Sequence, residues 1–589
     1  MQRRHVIPRP EHPNPQCARR DWLNLNGTWE FTLDSAGNGL EAGWHTGRRF
    51  PERILVPFPP ESRLSGIGNT DFLGGVWYRR KFRVPRAWAG RRVLLHFGAA
   101  DFDTRVWVNG QPVGRHWGGY SPIRLDITEA LKSGGNEVVV YCRDDSRAGS
   151  QPSGKQSPRL HSFGCLYTRV TGIWQTVWLE AVPSAHITHF TVVASARDGR
   201  AAVTVELAQP VPGGAVCAEA TFAGRPVASA RGSAEGTKAV LCLDIAEPHL
   251  WGPGSANLYE LTLGLTEGGR VVDEVRSYFG LRDIDIDGQR ILLNGRTTFL
   301  RLILDQGYYP GGVYTAESEE VLKRDIELSQ SMGFTGARLH QKVFEPRFLY
   351  WADRLGYLLC GEMGDWGLDF GDTEGRENFA AEWLQVLRRD INHPSLIIWT
   401  PFNETTRGLA TKGRLAALQE HIYRLTKAVD PTRPVIDSSG YVHVATDIYD
   451  VHNYTQDPEK FAALFARFGQ TGAREDAWRN VAEHNMPYGG QPYFVSEFGG
   501  TWWVEGKAGE NAWGYGERPR TKSEFLARFR ALTQALLRNP RIAGFCYTQL
   551  TDIEQETNGL LTFERQYKLD PKKVRAIVSQ PARIEQDKM

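Results

Sequence analysis

Leu396-Ile397-Ile398-Trp399-Thr400-Pro401-Phe402-Asn403-Glu404 is an apolar run that ends on two polar side chains. A short run rich in β-branched and aromatic residues reads as a strand buried on both faces, as in a parallel sheet. Tyr493-Phe494-Val495-Ser496-Glu497-Phe498-Gly499 has the same character and also carries a glutamate near its end. Six more short runs share the region: TTFLRLIL, TGARLHQ, YLLCGEM, PVIDSSG, IYDVHNY and IAGFCYTQL. Helical patterns lie between most of them. Val321–Met332 places Leu322 and Ile326 four apart, and Thr521-Lys522-Ser523-Glu524 is a capping box ahead of Phe525, Phe529, Leu532 and Leu536. Eight strand and helix units across residues 283–589 predict a (β/α)8 TIM barrel.

The chain N-terminal to this barrel reads as β structure. Residues 1–183 contain VWYRRKFRVP, RRVLLHFG, DTRVWVNGQPVG and NEVVVYCRDD, punctuated by turn signals such as Asn109-Gly110. They predict a jelly-roll sandwich. Residues 184–282, with HITHFTVVASA, AAVTVELAQ and LYELTLGLTEGG, predict an immunoglobulin-like sandwich. The fold class is therefore multidomain β followed by α/β.

Composition narrows the function. A formal charge of +2 and scattered Lys and Arg argue against a nucleic-acid partner. No apolar stretch reaches the roughly 18 residues of a membrane span. Seven widely spaced cysteines without a CxxC argue against a disulfide framework and a zinc site. No apolar leader is visible, so the expected location is cytoplasmic. No GxGxxG, P-loop or metal-ligand spacing stands out, and no cofactor is expected. The 18 Trp, 20 Tyr and 27 Phe fit large aromatic cores, and equally a site that stacks sugar rings.

In a TIM barrel, reactive groups sit at the C-terminal strand ends. Glu404 and Glu497 hold such positions on the fourth and seventh strands. Either alone could be half of a structural ion pair. Two facing carboxyls are what glycoside hydrolysis needs, one protonated toward the leaving oxygen and one ionised toward the anomeric carbon.

The order of domains, the Asn403-Glu404 pair, Ser496-Glu497-Phe498-Gly499, Gly75-Val76-Trp77-Tyr78-Arg79-Arg80 and Gly172-Ile173-Trp174-Gln175 resemble glycoside hydrolase family 2 over nearly the whole chain. The resemblance implies a retaining exo-glycosidase with a carbohydrate substrate, Glu404 as acid/base and Glu497 as nucleophile. It further implies that Asn403 binds the sugar 2-hydroxyl, that Arg338 holds Glu497 ionised and that Tyr454 donates to it. His452 is a candidate sugar contact. Asp305, Gln306, His340, Glu362, Trp502, Trp503, Tyr547 and Gln549 are candidates by strand-end position alone. Relatives are often dimers or tetramers, which admits a homo-oligomer.

The chain also departs from the family. Leu304-Asp305-Gln306-Gly307-Tyr308-Tyr309 stands where β-galactosidases carry an Asn-Arg-His-Glu-like run. In Arg338-Leu339-His340-Gln341 the histidine comes one place early. Glu556-Thr557-Asn558-Gly559-Leu560 lacks the lysine of the β-glucuronidase Asn-x-Lys pair. These departures point to a divergent branch, with a furanoside such as β-D-galactofuranoside or α-L-arabinofuranoside as an expected substrate. The alternative is a non-catalytic carbohydrate-binding protein with a degenerate barrel.

Overall fold

The structure is a computed structural model that describes residues 7–405 and 412–586. The N-terminal sandwich packs a six-stranded sheet against a four-stranded one. Its core is built from inward positions of both sheets, including Trp29, Phe31, Tyr78, Leu95, Val138, Val140 and Leu179. The second sandwich begins with strand Ile187–Ser195 and packs three strands on four. Its strand Lys238–Asp244 alternates strictly between exposed and buried residues, the period of a sheet wetted on one face. A short meander, Ile284–Asp287, Arg290–Leu293 and Arg296–Thr297, leads into the barrel.

The barrel strands are buried at every position, as parallel strands covered on both faces must be. In chain order they are Leu300–Asp305, Gly336–Leu339, Leu358–Glu362, Leu396–Thr400, Tyr449–Asn453, Tyr493–Gly499 and Ile542–Thr548. They form one parallel sheet whose spatial order is fourth, third, second, first, then Ile542–Thr548, Tyr493–Gly499 and Tyr449–Asn453. The expected strand PVIDSSG fills the gap as residues 434–439, without regular pairing. Among the described residues it bridges the fourth strand at Trp399–Val435 and the segment after it at Asn403–Ser439. The local reason is Asp437, whose carboxylate accepts from the backbone N–H groups of Ser438, Val444 and Ala445 at 2.9, 2.6 and 3.1 Å. Such side-chain bonds compete with a strand ladder. The helix Lys522–Leu537 starts at Thr521, whose hydroxyl accepts from the Glu524 N–H at 3.1 Å.

The N-terminal sandwich is docked on the barrel by buried polar contacts. Glu382 of the helix Thr373–Asp390 accepts from the backbone N–H groups of Tyr120 and Ser121 at 2.7 and 3.1 Å. From the same sandwich, residues 153–168 run over the barrel mouth. Ser153 N–H donates to the Trp366 carbonyl at 2.7 Å, and Gln555 Nε2 donates to the carbonyls of Gly164 and Leu166 at 2.8 and 3.0 Å. No helix among the described residues is long and apolar enough to cross a membrane.

Candidate active site

At the C-terminal strand ends, Glu404, His452 and Glu497 each present one atom such that all three lie within 4.8 Å of one another. The two glutamates occupy different surroundings. Glu497 is buried, and Arg338 Nη1 donates to its Oε1 at 2.6 Å. The Tyr454 hydroxyl donates to its Oε2, and His452 Nδ1 lies 3.4 Å from that oxygen. Burial works against the Glu497 charge. The fields of His452 and Arg338, with the Tyr454 hydrogen bond, outweigh it and hold the carboxyl well below the usual range.

Arg338 organises this side. Its Nε donates to Glu362 Oε2 at 2.6 Å, and its Nη2 to Asn403 Oδ1 at 2.6 Å and to His340 Nδ1 at 3.0 Å. Burial pushes Glu362 up to about 6 despite Arg338. Burial, with Lys155 and Arg338 nearby, holds His340 well below the ordinary histidine range. Because Arg338 takes the Asn403 oxygen, the Asn403 Nδ2 is left as a buried donor without a partner among the described residues. The Asn403 backbone is fixed by its N–H to Asp365 Oδ1 at 3.0 Å and by Trp366 Nε1 on its carbonyl at 3.1 Å.

Glu404 is a fifth exposed at its side chain. Its backbone is left-handed, at φ 51°, a conformation that disfavours a side chain bearing Cβ. The Glu404 N–H to Ser439 carbonyl bond at 2.9 Å helps hold it there. His452 Nδ1 stands 2.8 Å from Glu404 Oε1. Behind His452, Nε2 lies 3.0 Å from Ser439 Oγ, and that hydroxyl donates to Asp450 Oδ2 at 2.7 Å. With its hydrogen spent on Asp450, Ser439 Oγ accepts from His452 Nε2–H.

Thus Glu404, Glu497, Asn403, Arg338, His340, Glu362, His452 and Tyr454 form one connected cluster. Gln306 and Gln549 meet each other at 2.7 Å in a second polar network. Four sequence candidates do other work. Asp305 accepts from the Gly307 N–H at 2.9 Å and closes the turn after the first strand. Trp502 donates to the Gly516 carbonyl at 3.0 Å, bracing its own loop. Trp503 stacks on Phe525, and Tyr547 packs edge-on against Phe498 and Phe529. Large aromatics after a strand are drawn into core packing unless a polar partner holds them at the mouth.

Sequence reasoning missed Lys155, Tyr167 and Tyr515. Tyr515 stacks flat on Tyr454 at 3.5 Å. Lys155 and Tyr167 come from the first sandwich, and only the docking of two domains brings them here. The Glu404, His452 and Glu497 atoms also approach the spacing of metal ligands. A divalent cation there would sit beside the Arg338 guanidinium that already neutralises Glu497, so the donor set does not suit one.

Comparison with known proteins agrees with this architecture. Residues 23–178 match the sugar binding domain of glycosyl hydrolases family 2, residues 175–282 match the domain described as glycosyl hydrolases family 2, and residues 285–500 match the family's TIM barrel domain. A β-glucuronidase of Paenibacillus borealis is 25% identical over 453 residues, covering 71% of this chain and 72% of the relative. A β-galactosidase of Thermoanaerobacter pseudethanolicus is 27% identical over 408 residues, covering 64% of this chain and 50% of the relative. A solved structure of the Ruminococcus gnavus β-glucuronidase superposes with a TM-score of 0.79 at 21% identity, covering 96% of this chain and 99% of that one. With the three domains matched in sequence from residue 23 to residue 500, the chain belongs to glycosyl hydrolase family 2 and is a hydrolase of O-glycosyl bonds.

Proposed function

We propose that this enzyme releases a terminal β-linked sugar by double displacement, with Glu497 as nucleophile and Glu404 as acid/base. The observation that carries this reading is the approach of the two carboxyls, whose nearest atoms lie within 4.8 Å. Retaining enzymes place the pair about 5–5.5 Å apart, and inverting ones about 6.5–9.5 Å to admit a water between them.

Each side chain has a task that its surroundings prepare. Glu497, ionised by Arg338 and Tyr454, attacks the anomeric carbon. Glu404 gives its proton to the departing oxygen, then takes one from the water that cleaves the glycosyl-enzyme. Its orientation comes from His452, which is held through Ser439 and Asp450. The unpaired Asn403 Nδ2 is the donor for the sugar 2-hydroxyl, a contact that strengthens as the ring becomes oxocarbenium-like. Residues 153–168 of the first sandwich, together with the 501–515 and 553–558 loops, wall the barrel mouth, which favours exo action on one terminal sugar. The relatives above are named β-glucuronidase and β-galactosidase, so the furanoside expectation draws no support from them. Retention of both carboxylates and Asn403 weighs against the non-catalytic alternative.

The test is turnover of aryl glycosides, β-galactoside, β-glucoside, β-glucuronide, β-mannoside and the two furanosides, beside Glu404→Gln and Glu497→Gln. Loss of turnover in both folded variants supports the assignment. A Glu497→Gln enzyme with normal rates removes it.

A further inference from the structure

Lys155 lies buried at the barrel mouth with its ammonium 3.8 Å from the centre of the Trp366 ring. Among the described residues no carboxylate oxygen comes within 4.0 Å of it, and none of its three N–H donors has an acceptor. A buried ammonium left this way is costly unless something else uses its donors. Burial disfavours its charge, but Cys165, Glu556, Glu404 and Glu497 around it keep it protonated. Lys155 therefore lies within the electrostatic reach of three glutamates.

Glu556, one of these, belongs to a closed ring of hydrogen bonds whose direction is fixed at one point. Glu556 accepts from the Tyr167 hydroxyl and from Asn558 Nδ2, the latter at 2.8 Å. Asn558 must then offer Oδ1 to Gln549 Nε2 at 2.8 Å. Gln549 in turn offers Oε1 to Gln306 Nε2 at 2.7 Å, and that same Nε2 reaches the Tyr167 oxygen at 2.7 Å. With every amide oriented, Gln306 Oε1 remains a buried acceptor without a partner among the described residues. The unmet groups here are thus a cation's donors and one amide acceptor.

We propose that Lys155 and the Glu556–Gln306 wall together recognise the terminal sugar, and that they select a neutral, hydroxyl-bearing sugar over a uronic acid. A hydroxyl both donates and accepts, so it satisfies Lys155 and the wall at once. A sugar carboxylate only accepts, so it would leave the buried Gln306 Oε1 without a donor and would stand near Glu556, whose carboxyl burial pushes up to about 7. Like-charge juxtaposition of that kind costs several kcal/mol. The inference rests on the double-displacement reading above and adds to it the substrate class and a contact from outside the barrel.

The experiment compares matched aryl glycosides that differ only at C6, β-galactoside against β-galacturonide and β-glucoside against β-glucuronide. The neutral member of the pair the enzyme accepts should show about 100-fold higher kcat/KM. Glu556→Gln should narrow that preference about tenfold at pH 8, since it removes a carboxyl that burial pushes up to about 7 and that is ionised there. Lys155→Met should lower kcat/KM on the neutral sugar about 30-fold, mostly through KM, with partial rescue in Lys155→Arg. A uronide turned over faster than its neutral partner, and lost in Glu497→Gln, would overturn the inference while leaving the mechanism standing. An unchanged KM in Lys155→Met would also overturn it. Failure of every glycoside in the folded enzyme would remove both the inference and the reading beneath it.

Discussion

The ends of the fourth and seventh barrel strands make an instructive pair. Both end near a glutamate, both strands are wholly buried, and the two carboxyls approach within 4.8 Å. Yet Glu497 is sealed in and braced by a cation, a phenol and an imidazole, whereas Glu404 is part-exposed, left-handed in its backbone and faced by His452. Under the proposed mechanism the seventh strand delivers a carboxylate that must stay ionised. The fourth delivers one that must exchange a proton with water and a leaving group. Same residue type, same fold position and opposite roles follow from partners contributed by other strands.

The sharpest way to break this comparison is to remove each carboxyl in turn. Glu497→Gln should reduce kcat by about 10⁴-fold or more on every leaving group, because the covalent step has no substitute. Glu404→Gln should cost about 10²–10⁴-fold on poorly activated leaving groups and far less on dinitrophenolates, which depart without a proton. Equal losses on both leaving groups would erase the distinction between the two sites.

Arg338→Met attacks the difference in environment. It leaves Glu497 and Glu362 buried without their shared cation, a loss of about 3–5 kcal/mol in stability where such a pair is broken. The sign of its pH effect follows from Glu497. Its carboxyl is held below the usual range in the folded protein, so at neutral pH it is fully ionised and the acid limb of kcat/KM lies low. Without Arg338, burial dominates and the acid limb should move upward, so activity at pH 5 falls more than at pH 7. Tyr454→Phe removes one hydrogen bond to the same carboxylate and should cost about 10–100-fold in kcat, with the acid limb moving the same way by less.

The smallest effect is expected behind Glu404. His443 donates to Asp437 at 2.7 Å and to the Asp450 carbonyl at 2.9 Å. Burial opposes its charge, but Asp437 and Asp450 raise it to about 10. A raised histidine stabilises the fold fully below its unfolded value of about 6.5, and that contribution is lost as pH climbs through about 10. Tm of the native protein should therefore decline between pH 7 and pH 10.5 more than that of His443→Gln. Parallel curves would mean the imidazolium does not support the sixth-strand side.

The sequence made the architecture and the proposed reactive pair legible because both are written locally. Apolar runs of five to seven residues announce buried strands, and a glutamate at the end of one is conspicuous. The cluster around Glu497 followed from strand-end positions, since Arg338, His340, Glu362 and Tyr454 all stand there. Trp503 and Tyr547 stand there too but face the packing between strand and helix, a difference of direction that position alone does not encode. The fifth strand looked regular because nothing in PVIDSSG reveals that Asp437 spends its carboxylate on nearby backbone. Lys155 and Tyr167 were illegible for a stronger reason. They lie more than 200 residues from Glu404 in the chain and reach the site through the docking of one domain on another.

The central claim is that Glu497, and not Glu404, attacks the sugar. It is tested most directly with Glu497→Gly and Glu404→Gly, each given sodium azide and an activated aryl β-glycoside that the native enzyme cleaves. The account predicts an α-glycosyl azide from Glu497→Gly, formed by azide from the vacated nucleophile face, and a β-glycosyl azide from Glu404→Gly. The reverse pattern, or rescue of Glu497→Gly with β configuration, would contradict it.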